Sequence, residues 1–354
     1  MTLAKLTLRA GLGALAATLI ANAGMAQTKI VLAHSQQNIT PSFAIGSSLP
    51  TELKFWAKEG IEVDVVPTPG AAAAIQLLIA GKADVALANP SSAMAAIQRG
   101  APIKVVYTAT RGDIFGVALP KGVALSDLKG KVVGVSSFAS GSNNYARTLL
   151  RDAGLEPGKD VSVVEIGTGA RAAAAFQSGQ VQAVSLWDEQ YQLLAENGLT
   201  FPTLIKDPRA ADFVSGSLVV RTEDIAKRRD ILIGIARGIA KAQLFQEKYA
   251  NETIKLHWKT YPASAPRKVD AAAVDAAVRV LESRKAIQAR DVYGTGKFGD
   301  IPLSRFAKFQ DYLIMTGELP KAIEVSNYIT NELIGDINKF DDAEVYSHVK
   351  DIPQ

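Results

Sequence analysis

Two stretches of this 354-residue sequence carry the same succession of elements, and this repetition is the feature that most constrains the fold. The first stretch runs from Ile61 to Asn89 and the second from Val161 to Asp188. In the first, β-branched residues predict a strand over 61–66, alanine-rich residues predict a helix over 71–80, and an apolar run predicts a buried strand over 84–88. Two such units predict two similar lobes, each built on an α/β sheet.

The helices of the two units end in the same way. Gly81 and Gly179 follow them, and the sequence offset that relates these glycines also pairs Val65 with Val163. Open parallel sheets bind ligands beyond the carboxyl ends of their strands. Two facing lobes of this kind therefore predict a cleft between their strand ends.

The N-terminus has the layout of a cleavable export signal. Lys5 and Arg9 precede an apolar run over 10–21, and small residues follow as far as Ala26. We expect a signal peptide over 1–26 that is cut after Ala26, with Ala23 as the alternative site. A membrane anchor is disfavoured because the run falls short of the roughly 20 residues that span a bilayer.

The composition narrows the location and the partners. The chain has no cysteine, which excludes disulfides, thiolate metal sites, a cysteine nucleophile and a lipid-modified N-terminal cysteine. An exported protein without a lipid anchor needs a confining compartment, so we expect it in the periplasm. The net charge is only +4 and no basic stripe is present, so a nucleic-acid partner is not expected.

The order of the remaining elements predicts two passages between the lobes. Strand-like runs over 103–109 and 114–119 follow each other without a helix, and the run over 213–221 is a candidate return. We therefore expect a discontinuous lobe 1 over 27–110 plus 216–354 and a lobe 2 over 111–215. Helices are predicted from Pro50 to Gly60, from Thr222 onward, and in three later segments. Those segments are 269–281, 303–316 and, more weakly, 327–334.

One loop carries the strongest binding signal. A buried strand over 131–136 delivers a serine- and glycine-rich loop to a helix N-terminus, where unpaired amides favour an anion. The alternative for each serine is a helix cap or a solvated side chain. Gly70, Ala71 and Thr168 repeat this geometry. The candidate residues of the loop itself are Ser136, Ser137, Ser140, Ser142 and Asn143.

The residues that close the two repeated units are further candidates. Asn89 and Ser91 follow the first unit, whereas Trp187 and Asp188 end the second. The indole is a candidate wall for a ligand, and the carboxylate is a candidate acceptor for a ligand or for the opposite lobe. The alternatives are a packed tryptophan and a capping aspartate.

Two charged or titratable candidates lie elsewhere. Arg111, at the first passage, is suited to hold an anionic group bidentately, and the alternative is a solvated pair with Asp113. His34 ends the first predicted strand and is a candidate hydrogen-bonding contact, or a histidine packed at the strand end.

Enzymatic motifs are missing from the sequence. The three histidines, at positions 34, 257 and 348, have no zinc-ligand spacing, so no metal is expected. No phosphate-binding loop, no dinucleotide fingerprint and no G-x-S-x-G elbow occurs. We therefore expect no catalytic residues and no cofactor.

Several segments together resemble periplasmic solute-binding proteins of ABC importers. They are Lys58-Glu59-Gly60 before the strand over 61–66, and the runs GAAAAIQLLIAGKADVALAN, LKGKVVGVSSFASGS, AAFQSGQVQAVSLWD and NYITNELI. The resemblance is to the nitrate/sulfonate/taurine-type family, which shares its fold with thiamine-pyrimidine-precursor proteins, and it covers most of the mature chain. It implies a two-lobed type II periplasmic-binding-protein fold whose lobes, joined by two hinge strands, close on a small solute.

The resemblance also implies contacts and partners. It places Ser35, Gln36, Gly70, Asn89, Ser136, Ser137, Thr168 and Trp187 at the ligand. The sequence departs from the family at Asp188-Glu189, where glutamate-proline is usual, and in a glutamine-rich loop over 34–41. The expected partners are a small solute and an ABC permease with its ATPase, contacted at the inner membrane by a monomer.

The expected function is therefore capture of a small sulfonate, nitrate or carboxylate for import, without catalysis. The alternatives are a pyrimidine or aromatic solute, or an enzyme similar to pyrimidine-precursor synthases. Those enzymes carry a cysteine-rich iron-binding motif, and this chain has no cysteine.

Overall fold

The computed structural model describes residues 27–352, so the export signal predicted for 1–26 lies outside the described residues. The described chain is a mixed α/β fold with two sheets of five strands each. Its strands are β1 (Thr28–His34), β2 (Ile61–Pro67), β3 (Val85–Ala88), β4 (Ile103–Thr108), β5 (Phe115–Leu119), β6 (Val132–Val135), β7 (Ser162–Glu165), β8 (Ala183–Trp187), β9 (Thr203–Ile205) and β10 (Ser217–Arg221).

Fifteen α-helices, several of them a single turn, cover these sheets within residues 27–352. They are α1 (Ser48–Glu52), α2 (Phe55–Lys58), α3 (Ala71–Ile79), α4 (Pro90–Gln98), α5 (Gly141–Asp152), α6 (Gly169–Gln177), α7 (Asp188–Glu196), α8 (Asp224–Lys227), α9 (Arg229–Lys248), α10 (Ala250–Thr260), α11 (Ala271–Glu282), α12 (Lys285–Gln288), α13 (Leu303–Met315), α14 (Ile334–Ile337) and α15 (Asp342–Ser347).

The two sheets have the same topology. Their strand orders are β2-β1-β3-β10-β4 and β7-β6-β8-β5-β9. In each, the first three strands run parallel and the fourth runs antiparallel to both neighbours. The antiparallel strand is the one that enters from the other sheet, since β5 follows β4 and β10 follows β9. The two passages predicted from the sequence are therefore present, whereas the lobe boundaries at residues 110 and 216 stay a prediction.

The repeated units occupy equivalent places in the two sheets. Strands β2 and β7 are the outer strands, and β3 and β8 are the third. Gly81 and Gly179 both adopt positive φ, at 67° and 74°, where a side chain is disfavoured, and each ends the helix of its unit. The repetition in the sequence thus reflects a repetition of structure.

Helix α9 is the centre of the core behind the first sheet. Most of its residues are buried, so it is covered on nearly every side. Ile235 and Ile239 share one apolar cluster with Ile30 and Leu32 of β1. A second cluster joins α3 and α5, on opposite sheets, and so continues across the passages.

Two predicted helices are interrupted. The helix predicted from Pro50 to Gly60 breaks at Lys54, whose φ of 57° lies in the left-handed region. The break lets both Phe55 and Trp56 reach the core, where Trp56 Nε1 donates to the carbonyl of Ile235 at 3.0 Å. The long helix predicted from Thr222 is divided at Arg228 into α8 and α9.

The helix predicted for 327–334 is wrong. Tyr328 and Thr330 instead exchange backbone hydrogen bonds with Val105 of β4, at 2.8 and 3.0 Å. Because β4 is the last strand of its sheet, this extended segment covers an edge that would otherwise present unpaired amides. Sheet-edge pairing therefore overrides the local helical pattern.

The C-terminal helices do not all pack on the first sheet. Helix α11 contacts α7, and α13 contacts a 3₁₀ turn at Pro208–Asp212, both of which follow strands of the second sheet. The C-terminal segment therefore bridges the two sheets, and it brings residues 284 and 288 to the space between them.

Candidate functional site

A cavity of about 640 Å³ lies where the carboxyl ends of the two sheets face each other. The residues that line it, called here the cavity wall, come from the loops after β1, β2, β3, β6, β7 and β8, from the two passages between the sheets and from the segment after α11. This is the region predicted by the sheet topology, and the volume falls within the range typical of sites for small organic ligands.

Three helices begin at the cavity wall. Gly70, Ser140 and Thr168 are the N-cap residues of α3, α5 and α6, and all three line the cavity. Ser140 Oγ accepts from the amide of Ser142 at 3.2 Å, whereas Gly70 and Thr168 make no side-chain cap. The positive ends of three helix dipoles therefore lie at this region, which favours an anion, although the first amide of α6, that of Gly169, already donates to Gln190 Oε1 at 2.9 Å.

The serine-rich loop divides into two layers. Ser136, Ser137 and Ser140 line the cavity. Ser142 is fully buried behind them, with its Oγ 3.1 Å from Ser136 Oγ and 3.2 Å from Ser140 Oγ. Asn143 is also outside the wall and donates to the carbonyl of Phe138 at 3.2 Å. The outer serines can thus meet a solute while Ser142 and Asn143 hold the loop.

The two rims of the cavity touch at Gly70. A Cβ atom at this position would lie 2.9 Å from the carbonyl oxygen of Ala139, a backbone atom on the other sheet's loop. Ser137 Oγ donates to the carbonyl of Pro69 at 3.1 Å across the same contact. Glycine at position 70 therefore permits the approach of the two rims. Ala71, the next residue, lines the cavity.

A second contact joins the rims on the other side of the cavity. Thr40 Oγ1 donates to Glu189 Oε1 at 2.6 Å, and Arg284 Nε donates to Asp188 Oδ1 at 2.8 Å. Burial raises the pKa of the Glu189 carboxyl, and the neighbouring Arg284 opposes that rise. Trp187, which lines the cavity, donates from Nε1 to Glu189 Oε2 at 3.2 Å. Asp188 lies outside the wall. Its carboxylate accepts a hydrogen bond from Arg284 on the opposite side of the cavity, which is one of the two acceptor roles that the sequence predicts for it.

Unpaired polar atoms are concentrated in the cavity wall. Buried polar atoms in proteins nearly always have a hydrogen-bond partner, so exceptions mark functional sites or a missing ligand. Five residues of the wall carry buried side-chain atoms without a hydrogen-bond partner. They are His34 (Nδ1 and Nε2), Ser42 (Oγ), Asn89 (Nδ2), Ser215 (Oγ) and Arg284 (Nη2).

These unpaired atoms are mostly hydrogen-bond donors. The amide of Asn89 is oriented, because its Oδ1 accepts from the amide of Ser91 at 3.0 Å and leaves Nδ2 free. Arg284 is only 3% exposed in its side chain, and its Nη2 has no partner nearer than Glu189 Oε2 at 3.9 Å. A solute that fills this space must therefore offer acceptors.

His34 is buried and neutral. Burial lowers its pKa to about 3, and the nearby His257 contributes to that lowering. Its ring packs edge-on against Phe43, with centroids 5.3 Å apart, and the Arg284 guanidinium lies 5.2 Å from the same Phe43 ring. His34 is thus both packed at a strand end and available as one donor and one acceptor.

Besides Ser142, Asn143 and Asp188, two more predicted residues lie outside the cavity wall. Arg111 is buried, and its Nη1 donates to Asp300 Oδ1 at 2.9 Å, so the expected pair with Asp113 is wrong. This bond ties the first passage to the C-terminal segment. Ser91 is also outside the wall, in the first turn of α4. Ser35, Gln36 and Asn89 line the cavity, and the ligand contact that the resemblance implies for them stays a prediction.

Several residues of the cavity wall are not predicted from the sequence. Arg284 and Gln288 come from a segment without a recognisable motif, and only the three-dimensional fold brings them to the cavity. Ser42 and Phe43 lie just beyond the polar loop over 34–41, at the start of an apolar run, so no local signal marks them as wall residues. The sequence predicts a strand over 213–221 that includes Ser215, whereas in the structure β10 begins only at Ser217.

No group of three or more metal-binding side chains occurs within residues 27–352. In the same range, no helix has the length and apolar character needed to cross a bilayer. The charged side chains of the cavity wall are Glu165, Arg171 and Arg284, and Glu165 Oε1 already accepts from the amide of Phe138 at 2.5 Å.

Comparison with known proteins identifies relatives. Residues 45–248 match the NMT1/THI5-like family. The Bacillus subtilis protein YtlA, provisionally named a binding protein, is 23% identical over 208 residues, which are 56% of this chain and 61% of that protein. The chain therefore spans less than two thirds of the length of this curated relative.

Solved structures share the fold. The alkanesulfonate-binding protein SsuA of Xanthomonas axonopodis pv. citri, solved with MOPS, has a TM-score of 0.63 and 18% identity, covering 86% of this chain and 99% of SsuA. The periplasmic nitrate-binding protein NrtA of Synechocystis has a TM-score of 0.61 and 15% identity, covering 93% of this chain and 99% of NrtA. The predicted two-lobed α/β periplasmic-binding-protein fold is confirmed.

Proposed function

This chain belongs to the NMT1/THI5-like family, and from that premise we propose that it is a periplasmic solute-binding protein of an ABC importer. It captures a small anionic solute of the sulfonate, nitrate or carboxylate class and delivers it to a permease with its ATPase. The binding proteins of known structure that share the fold support the receptor role. The protein acts as a monomer, in peripheral contact with the inner-membrane complex, after removal of residues 1–26.

The observation that carries the proposal is the enclosed, donor-rich cavity between the two sheets. Three helix N-termini and five residues with unpaired buried atoms surround it. An oxyanion can accept hydrogen bonds from donors of these kinds, and Arg284 adds a buried positive charge. The proposed ligand contacts are the predicted residues that line the cavity, such as Ser136 and Thr168, together with Arg284.

Capture follows from the contacts between the rims. The contacts at Gly70 and at Glu189 join parts of the chain that follow different sheets, so they form only when the lobes approach. A solute that touches both rims stabilises the closed state over the open one and shifts the population toward closure. The permease can then recognise the loaded protein by its shape.

An enzyme on this fold is the weaker alternative. The wall contains no nucleophile paired with a base, since the His34 ring makes no hydrogen bond to any protein group. The serine–histidine contact in the described chain, Ser48 Oγ to His257 Nδ1 at 2.8 Å, is buried outside the cavity wall. His257 also binds the carbonyl of Ile39 at 3.0 Å, so this contact supports the loop over 34–41.

A thermal-shift screen tests the proposal. Sulfonates, nitrate, carboxylates, pyrimidines and purines are added to the purified protein, and a ligand that binds only the folded state raises the melting temperature. We expect anions to stabilise the protein. Stabilisation by pyrimidines alone would contradict the anion class and favour the heteroaromatic alternative.

Two arginine variants make the screen specific. Arg284→Gln removes the buried cation of the cavity wall, whereas Arg279→Gln removes a neighbouring arginine that pairs with Glu196 of α7, at 2.6 Å, outside the cavity wall. Both variants lose an ion pair to α7, so they are matched. We expect Arg284→Gln to abolish the shift by anions and Arg279→Gln to keep it.

A further inference from the structure

The cavity is larger than an inorganic ion requires. Its volume of about 640 Å³ lies in the range that encloses whole organic molecules, with most of their surface buried. Nitrate has four atoms and would leave most of this space to water. The proposed function leaves the size of the solute open, and the volume favours the larger members of its anion class.

The apolar part of the cavity wall is aromatic. Phe43, Phe115, Phe138 and Trp187 come from four different loops or strands on both sides of the cavity. The polar atom of Trp187 already donates to Glu189, so the ring offers its apolar face. Flat aromatic walls pack well against a flat ring, by stacking or by edge-to-face contact.

Phe138 supports a bulky apolar solute from the mouth of the cavity. Its side chain is 52% exposed although it belongs to the cavity wall. A single exposed apolar side chain is ordinary on a protein surface, so the position of Phe138 in the cavity wall is what connects it with a ligand. A ring held in the cavity would cover Phe138, whereas a small ion would leave it in water.

The buried donors define where the charged end of the solute lies. His34, Ser42 and Arg284 are grouped around Phe43, either next to it in sequence or in contact with its ring. All three carry unpaired buried atoms. Because an unpaired buried donor costs free energy, a ligand oxyanion at this end would relieve several such costs at once.

We propose that the solute is an aromatic oxyanion, a ring that bears a carboxylate or sulfonate, with its anionic head at Arg284 and the neighbouring unpaired groups of His34 and Ser42 and its ring against Trp187 and Phe138. This inference rests on the proposed function and names the class of solute within it. The anionic head and the ring are both needed for tight binding, because the hydrogen-bond donors recognise the charge and the aromatic walls recognise the ring.

Matched ligand pairs test the inference by titration calorimetry. Benzenesulfonate and methanesulfonate differ in the body, whereas benzenesulfonate and benzenesulfonamide differ in the charge. We expect benzenesulfonate to bind at least about ten-fold more tightly than methanesulfonate, nitrate or benzenesulfonamide, since each lacks one of the two recognised features.

A substitution at Ser42 tests the position of the head group. Ser42→Ala removes an unpaired buried hydroxyl next to Phe43 and adds no charge. Asn89→Ser is the control, because it removes an unpaired donor that lies beside Gly141, the first residue of α5, and keeps an oxygen that can cap α4. We expect Ser42→Ala to weaken benzenesulfonate binding about ten-fold, Asn89→Ser to weaken it less, and both variants to keep a cooperative melting transition.

Each result decides the inference. Equal or tighter binding of methanesulfonate or nitrate would overturn it and leave the proposed capture of small anions standing. Equal binding of benzenesulfonamide would overturn the anionic head, and unchanged binding in Ser42→Ala would overturn its position. Failure of benzenesulfonate and of benzoate to bind would also overturn the inference, and the proposed function would fall only if the smaller anions were inactive as well.

Discussion

Two of the three histidines of this chain are buried in neutral form, and this predicts a specific loss of stability in acid. Burial lowers the pKa of His34 to about 3 and that of His257 to about 4, from the ordinary histidine value of 6.5. Both pKa values are lower in the folded protein than in the unfolded chain. The stability that each neutral histidine contributes is therefore present above pH 6.5 and lost as the pH falls through the folded-state pKa.

The size of this loss of stability follows from the pKa shifts of the two histidines. A shift of one pKa unit corresponds to about 1.4 kcal/mol, so each histidine withdraws roughly 2 to 3 kcal/mol of unfolding free energy between about pH 7 and pH 4.5. Replacing His257 by glutamine, which remains neutral, removes one such contribution, and His34→Gln removes the other. Each variant should therefore lose less stability on acidification than the wild type, by roughly 2 to 3 kcal/mol.

Urea denaturation at the two pH values measures this difference directly. His348→Gln is the matched control, because His348 lies only partly buried near the C-terminus, beside Lys58, and is not enclosed in the core. The reasoning would be refuted if the His34 and His257 variants kept the pH dependence of the wild type. It would equally be refuted if the His348 variant alone changed it.

Two further predictions concern closure and the first passage. Gly70→Val places carbon atoms against the carbonyl oxygen of Ala139, which raises the free energy of the closed state by about 1 to 3 kcal/mol. We therefore expect the affinity for the solute to fall about ten-fold or more, with Gly70→Ala intermediate. The melting temperature of the solute-free protein should stay unchanged. Burial raises the pKa of Asp113 to about 6, so its contribution to stability is full below about pH 4 and is lost as the pH rises through 6. Asp113→Asn should therefore gain about 3 kcal/mol relative to the wild type between about pH 4 and pH 7, and an unchanged difference in urea denaturation would contradict this.

The sequence predicts the strands and their passages well because local patterns determine them. The repeat over Ile61–Asn89 and Val161–Asp188 contains alternating residues, helix formers and glycines with positive φ, all of which act within a few residues. These signals place the strand ends, and the carboxyl ends of parallel strands then place the cavity.

Contacts that depend on the whole fold are not visible in the sequence. Arg284 reaches the cavity only because α11 packs on α7. Arg111 donates a hydrogen bond to Asp300, which lies 189 residues further along the sequence. Lys54 adopts positive φ because Phe55 and Trp56 must both be buried. In each case long-range packing decides the outcome, and no local pattern reports it.

The central claim is that two similar lobes close around one solute. Ala72 and Ala170 are exposed residues in the first turns of α3 and α6, the equivalent helices of the two repeated units, and neither lines the cavity. Because the chain has no cysteine, Ala72→Cys with Ala170→Cys carries two spin labels and no others. The distance between the labels, measured by pulsed electron paramagnetic resonance, should shorten and narrow in distribution when the solute with the largest thermal shift is added. If that solute stabilises the protein while the distance stays unchanged, the account of capture by closure is contradicted.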